Sequence, residues 1–189
     1  VRIGILFGGV DKTDTTFKND KNLNFVTFED EEKSSGLFVK SVKDNSFSGC
    51  VNLTEVNLPP SVSKIGKNAF SGCSALKRIV LPENVLEICE GTFGGCSGLI
   101  DVVFPPAVTV IRKEAFKDCV GLVNLELPQS LVEISQSAFE GCKELANVKF
   151  NSSISRIAEG AFKGCSKLNK VSLPSDNIEV AEDAFPSDT

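Results

Sequence analysis

Seven cysteines, one run of four carboxylates and no histidine make up the reactive inventory of this 189-residue chain. Without histidine there is no Ser–His or Cys–His pair in which an imidazole takes the nucleophile's proton. The HExxH zinc helix and other imidazole-based metal sites are excluded for the same reason. Phosphate loops need closely spaced glycines so that backbone N–H groups approach the anion. Gly4-x-x-x-Gly8-Gly9 has neither the GxGxxG nor the GxxxxGK[ST] spacing. No pair of carboxylates stands apart from ordinary surface charge, so no general acid–base couple is assigned. The chain reads as non-enzymatic, with no cofactor and no resident metal.

Six of the cysteines are 23 residues apart, at Cys50, Cys73, Cys96, Cys119, Cys142 and Cys165, and Cys89 lies outside the series. Three chemistries compete for them. A buried column of free thiols is favoured, because free Cys packs as a small hydrophobe. Disulfides between neighbouring turns have the right Cα spacing, but side chains stacked in parallel rarely reach the required torsion. A metal would meet a row of ligands rather than a tetrahedron, with no histidine to complete it. The redox compartment therefore stays open. The run Glu29-Asp30-Glu31-Glu32 lacks the spacing of a calcium loop and reads as a solvated insertion. Asn52-Leu53-Thr54 and Asn151-Ser152-Ser153 match the N-glycosylation pattern at the rate chance provides in a chain rich in Asn and Ser.

The cysteine step is the step of the whole chain. Phe47, Phe70, Phe93, Phe116, Phe139, Phe162 and Phe185 are each 23 apart. Leu follows each cysteine by three, at 53, 76, 99, 122, 145 and 168. Further apolar columns run Val56 to Val171, Leu58 to Leu173 and Ile65 to Val180, and Pro occupies 59, 82, 105, 128 and 174, with Asn151 breaking that column. A unit that recurs in so many columns is a solenoid coil, stable only when stacked on its neighbours. Phe17-x-x-Asp20-x-x-Leu23-x-x-Val26 fits the same template, but the next Phe is 30 residues on, so seven extra residues belong near 29–35. The organisation expected is a cap or flanking segment over 1–16, a diverged coil over 17–46 with the acidic insertion 29–35, and regular coils over 47–189. The opening VRIGILFGG reads as a capping strand rather than a signal peptide, and the absence of an initial Met suggests a processed chain or a fragment.

The unit L-x-x-V-x-L-P followed by I-x-x-x-A-F-x-G-C resembles the leucine-rich-repeat superfamily and, within it, the BspA-like (Treponema pallidum-type) class, over about residues 17–185. The resemblance implies a right-handed solenoid, mostly β, with one short strand per 23-residue coil forming a parallel sheet. The alternation in V-x-L suits a strand, Pro ends it for want of an N–H, and V-x-x-I suits a second short extended piece. A-F-x-G-C is expected to make a tight helical turn, with Gly, or Asp118 in one copy, at an unusual backbone angle.

The resemblance also implies that the strand face binds. Its outward columns place Val80, Ile100, Val103 and Val123 together on the middle coils, with Arg78, Asp101 and Glu126 around them. An exposed apolar cluster rimmed by charge is the form of an interaction site, although Val and Ile are also simply good strand residues. A net charge of −5 disfavours nucleic acid and anionic membranes as main partners, and no apolar run reaches the roughly 18 residues of a span. The expected role is a non-catalytic protein-interaction module. By the resemblance it is a cell-surface or secreted recognition or adhesion protein, or else a scaffold subunit of an intracellular or organellar assembly.

Overall fold

The computed structural model describes residues 17–27 and 39–187. These form a parallel β-solenoid of about 6 turns with about 23 residues per coil. The proposed N-terminal cap 1–16 and the acidic insertion 29–35 lie outside the described residues.

Each coil has two strand faces. On one face lie β1 (Phe25–Thr27), β3 (Glu55–Asn57), β5 (Arg78–Val80), β7 (Asp101–Val103), β9 (Asn124–Glu126) and β11 (Asn147–Lys149). On the other lie β2 (Ser41–Val42), β4 (Lys64–Ile65), β6 (Glu87–Ile88), β8 (Val110–Ile111), β10 (Glu133–Ile134), β12 (Arg156–Ile157) and β13 (Glu179–Val180). Every pairing is parallel, because every coil runs the same way round. Val26 pairs with Val56 at a separation of 30, while Val42 pairs with Ile65 at 23. The extra residues of the first coil therefore fall between its two strands.

The two faces are not laddered alike. The second-face strands β6, β8, β10, β12 and β13 form one continuous five-stranded sheet. The first-face strands pair only two by two, as β1–β3, β5–β7 and β9–β11. A second sequence period accompanies the pairs. Ile79 with Leu81 and Leu125 with Leu127 alternate with Val102–Phe104 and Val148–Phe150. Phe104 and Phe150 turn their edges to Phe116 and Phe162, at centroid distances of 5.8 and 5.9 Å. A larger ring beside a smaller Val keeps the coil volume nearly constant, which is what close packing demands. The N–H of Leu81 and of Leu127 still donates to the next coil, to Val103 O and Lys149 O, and the proline that follows each can donate to nothing.

The third side is a turn, and it is not helical. From Asn68 to Cys73 the N–H groups alternate. Asn68, Phe70 and Gly72 donate to Glu90, Thr92 and Gly94 of the next coil, while Ala69, Ser71 and Cys73 donate three residues back. No helix is present among the described residues. The expected helical turn fails because two positions per turn take a left-handed backbone, Asn68 at φ 52° and Gly72 at 74° in this copy. That frees every second N–H to reach the next coil. Asp118 does stand left-handed where Gly is usual, at φ 58°.

Between the faces, the phenyl rings from Phe17 to Phe185 form one stack, with centroids 5.2–5.8 Å apart. The six-membered cysteine column lies beside it as buried free thiols. Each thiol donates to the carbonyl of the previous coil's Phe, as Cys96 Sγ does to Phe70 O at 3.1 Å and Cys119 Sγ to Phe93 O at 3.1 Å. A residue there must be small, apolar and still own one donor, which Cys alone combines. Burial pushes the Cys50 thiol up to about 11 and Cys96 to about 12, so these two thiols stay protonated.

Asn151, where the proline column breaks, is 2% exposed. Its Oδ1 accepts from Ser153 N at 2.7 Å and Ile154 N at 2.8 Å, and its Nδ2 donates to Pro128 O and to Leu131 O. Elsewhere a proline carbonyl takes the equivalent N–H, as Pro128 O does from Leu131 N at 3.1 Å. The side chain thus rebuilds the corner that proline makes in other coils. It also buries the amide nitrogen that the Asn151-Ser152-Ser153 pattern would glycosylate.

Candidate protein-binding surface

The first strand face carries the residues singled out from the sequence. In β5 and β7, Arg78 stands opposite Asp101 and Val80 opposite Val103. In β9 and β11, Glu126 stands opposite Lys149. Ile100 and Val123 hold equivalent places one residue before β7 and β9 in successive coils. The alternation of the strand explains the exposure of Val80 and Val103, while Ile100 and Val123 lie just ahead of their strands. Ile79, Val102 and Leu125 point inward, so the residues on either side of each point out.

All four apolar members are exposed: Val80 51%, Ile100 56%, Val103 37% and Val123 43%. Leu86 and Val132 are comparably exposed on the other side of the coil, but Thr109 separates them in their own column. The strip is therefore the denser apolar grouping, and it spans three consecutive coils.

It is not one patch. A polar rail runs through it, and the rail is held by ion pairs. Arg78 Nε lies 2.7 Å from Asp101 Oδ2, and Asn147 Nδ2 donates to Asn124 Oδ1 at 2.8 Å. Val80 and Val103 lie on one side of this rail, Ile100 and Val123 on the other. At its C-terminal flank Lys149 Nζ lies 2.7 Å from Glu126 Oε1, and the ammonium holds the Glu126 carboxyl below its usual range. The face thus offers two apolar pairs about one ionic seam. Sequence columns gave the exposure but not the seam, because Arg78 and Asp101 were read as rim rather than as a cross-strand pair.

The strip's titratable groups are satisfied by one another, and no group of three or more Cys, Asp or Glu residues is disposed to hold a metal ion among the described residues. No helix of the described residues is long and apolar enough to cross a membrane.

Comparison with known proteins agrees with the geometry. A family profile described as "BspA type Leucine rich repeat region" matches residues 13–123 and 87–189, with six copies. Among solved structures, the chain is similar to a T. pallidum leucine-rich-repeat protein (TpLRR), at 34% identity and a TM-score of 0.73, over 97% of this chain and 76% of that one. A leucine-rich-repeat protein from Bacteroides ovatus aligns at 29% identity and a TM-score of 0.62, over 85% of this chain and 46% of that one. One from Eubacterium ventriosum, at 23% identity and a TM-score of 0.58, shares the fold, over 83% of this chain and 57% of that one. No curated protein matches the chain. The repeating motif, the profile match with six copies and the TpLRR likeness lead to one statement: the chain belongs to the BspA-type leucine-rich-repeat family.

Proposed function

We propose that the strip of Val80, Ile100, Val103 and Val123, with Arg78, Asp101 and Glu126 as its ionic frame, is the contact surface for a protein partner. In this reading the chain is a non-catalytic recognition or adhesion module, secreted or displayed at a cell surface. Membership of a leucine-rich-repeat family supports the protein-interaction role. The observation that carries the reading is the exposure of four large aliphatic side chains, 37–56%, on three adjacent coils beside a fixed ion pair. Apolar anchors beside a polar frame are the usual anatomy of an interface.

The test compares the whole chain with a Val103→Lys/Val123→Lys variant as bait for partners in native extract and on intact neighbouring cells. The expected result is loss of the captured protein, with affinity down about a hundredfold and the unfolding temperature changed by no more than about 2 °C. Capture that survives both substitutions overturns the strip. A stoichiometric complex from inside the cell, in place of an external ligand, would overturn the surface role in favour of a scaffold.

A further inference from the structure

The second strand face carries an open trough of about 510 Å3. Its floor is a column at the 23-residue step that holds Cys89, Ser135 and Ala158, all small, and one large residue, Arg112. One wall is made by Glu87, Glu133 and Arg156, and the other by Lys67, Glu90 and Lys113. The floor is low because its side chains are small, and the walls are high because theirs are long.

The walls carry both signs and are mostly paired. Lys67 Nζ lies 3.1 Å from Glu90 Oε2, and Arg156 bridges Glu133 at 3.4 Å and Glu179 at 3.5 Å. Arg112 Nε and Nη2 donate to Glu87 Oε2 at 2.9 and 2.7 Å. Both bonds use one edge of the guanidinium, so Nη1 makes no hydrogen bond among the described residues. Lys113 Nζ has only a loose neighbour, Glu114 at 3.9 Å. The middle of the trough therefore holds two cations with donors to spare, and glutamates stand one coil away on either side.

This charge pattern selects among ligands. A polyanion meets Glu87, Glu90 and Glu133 as like charges, and a polycation meets Arg112 and Lys113. A chain bearing both signs can seat a carboxylate on Arg112 and Lys113 and lay cations on the flanking glutamates, breaking no existing pair. An extended polypeptide can lie along the trough and present a side chain to it every 6.6–6.8 Å or so.

We propose that this trough binds an extended segment of a partner protein in which an acidic residue lies between basic ones, the carboxylate seated on Arg112 and Lys113. The surface is separate from the strip proposed above, so either can fail without the other.

The test uses the whole chain and three labelled peptides of about eight residues, long enough to cross the trough: an alternating peptide in which every second residue runs Lys, Glu, Lys, Glu with Ser between, so that both signs lie on one side, the same composition in two blocks, and all Glu. Fluorescence anisotropy is expected to show binding of the alternating peptide only. An Arg112→Ala/Lys113→Ala variant should weaken it about tenfold, and the Val103→Lys/Val123→Lys variant should leave it unchanged. Equal binding of the block or all-Glu peptide overturns the proposal. So does no binding of the alternating peptide, or an Arg112→Ala/Lys113→Ala variant that binds as the parent does. Anisotropy at a second, higher salt concentration should show the affinity falling, as pairing between surface charges requires.

Discussion

The two strand faces are built from the same repeat on opposite sides of one ring stack, yet they differ in both continuity and chemistry. The three-residue strands pair two by two and expose aliphatic side chains about an ionic seam. Of the two-residue strands, five make one sheet and β2–β4 a separate pair, and their trough is lined mostly by charged side chains. The difference follows from where bulk is placed. On the first face, Phe104 and Phe150 stand half-buried beside Val102 and Val148, and the strands on either side fit as pairs. On the second, Ile88, Ile111, Ile134 and Ile157 supply one identical inward residue per coil along the ladder β6–β8–β10–β12, while β2–β4 stands apart as a separate pair although Ile65 continues the column.

The largest effect should come from the element both faces share. Phe116 is fully buried between Phe93 and Phe139, at 5.3 and 5.2 Å. Phe116→Ala should cost about 3–5 kcal/mol. Hydrogen exchange should then show β7 and β8 losing protection together. Loss on one face alone would mean that the faces are stable independently, and the comparison would need to be redrawn.

A smaller, opposite effect is expected at the corner between the second face and the turn. Glu114 is held left-handed at φ 56°, where Gly91 and Gly160 stand in the equivalent coils at 62° and 61°. Glu114→Gly should stabilise the fold by about 0.5–1 kcal/mol by removing backbone strain, read as a raised midpoint in urea. It should leave peptide binding in the trough intact, since Lys113 has only its loose neighbour to lose. A lowered midpoint would show that the Glu114 side chain, not its backbone, governs that corner.

The smallest effect belongs to the first face. Glu126 has its folded carboxyl value lowered by Lys149. A lowered value contributes stability that is present above the ordinary carboxylate range and is lost as pH falls through the lowered one. Both groups are solvated, so Glu126→Gln should move the unfolding temperature at neutral pH by less than about 1 °C. The signature lies in the difference, with parent and variant converging as the solution is acidified. Curves that stay parallel would show the pair to be energetically silent.

The cysteines extend the pH argument in the other direction. Cys96 is raised from 9.0 to about 12 in the folded chain. A raised value gives stability that is complete below the unfolded pKa and lost as pH rises toward the folded one. The buried thiols of the shared core thus contribute to the loss of stability in alkali.

The periodic columns made the architecture legible in advance. Phe, Cys, Leu and Ile at a fixed step must all lie inside, because no other placement buries them all, and that logic needs no coordinates. The proline position and the left-handed glycines were legible in the same way, since each is a backbone requirement written as a residue type. The exposure of Val80 and Val103 followed from strand alternation; that of Ile100 and Val123, two residues before the inward Val102 and Leu125, did not. Nor did the trough, although its signal was present. A column of small residues interrupted by Arg112 is as periodic as the Phe column, but it is neither apolar nor reactive, so a search for cores and motifs passes over it.

What the sequence determined by itself is therefore the coil: its length, its inward residues and its corners, all set by local stereochemistry and by burial at a repeating interval. Only the tertiary structure decided what the repeats do to each other. It showed that alternate turn N–H groups reach the next coil instead of closing a helix, and that Asn151 stands in for a proline through four hydrogen bonds. It showed too that Arg78 and Asp101 close across strands to divide an apolar strip. Those outcomes depend on distances between residues 23 apart, which stacking fixes and the order of residues along the chain does not.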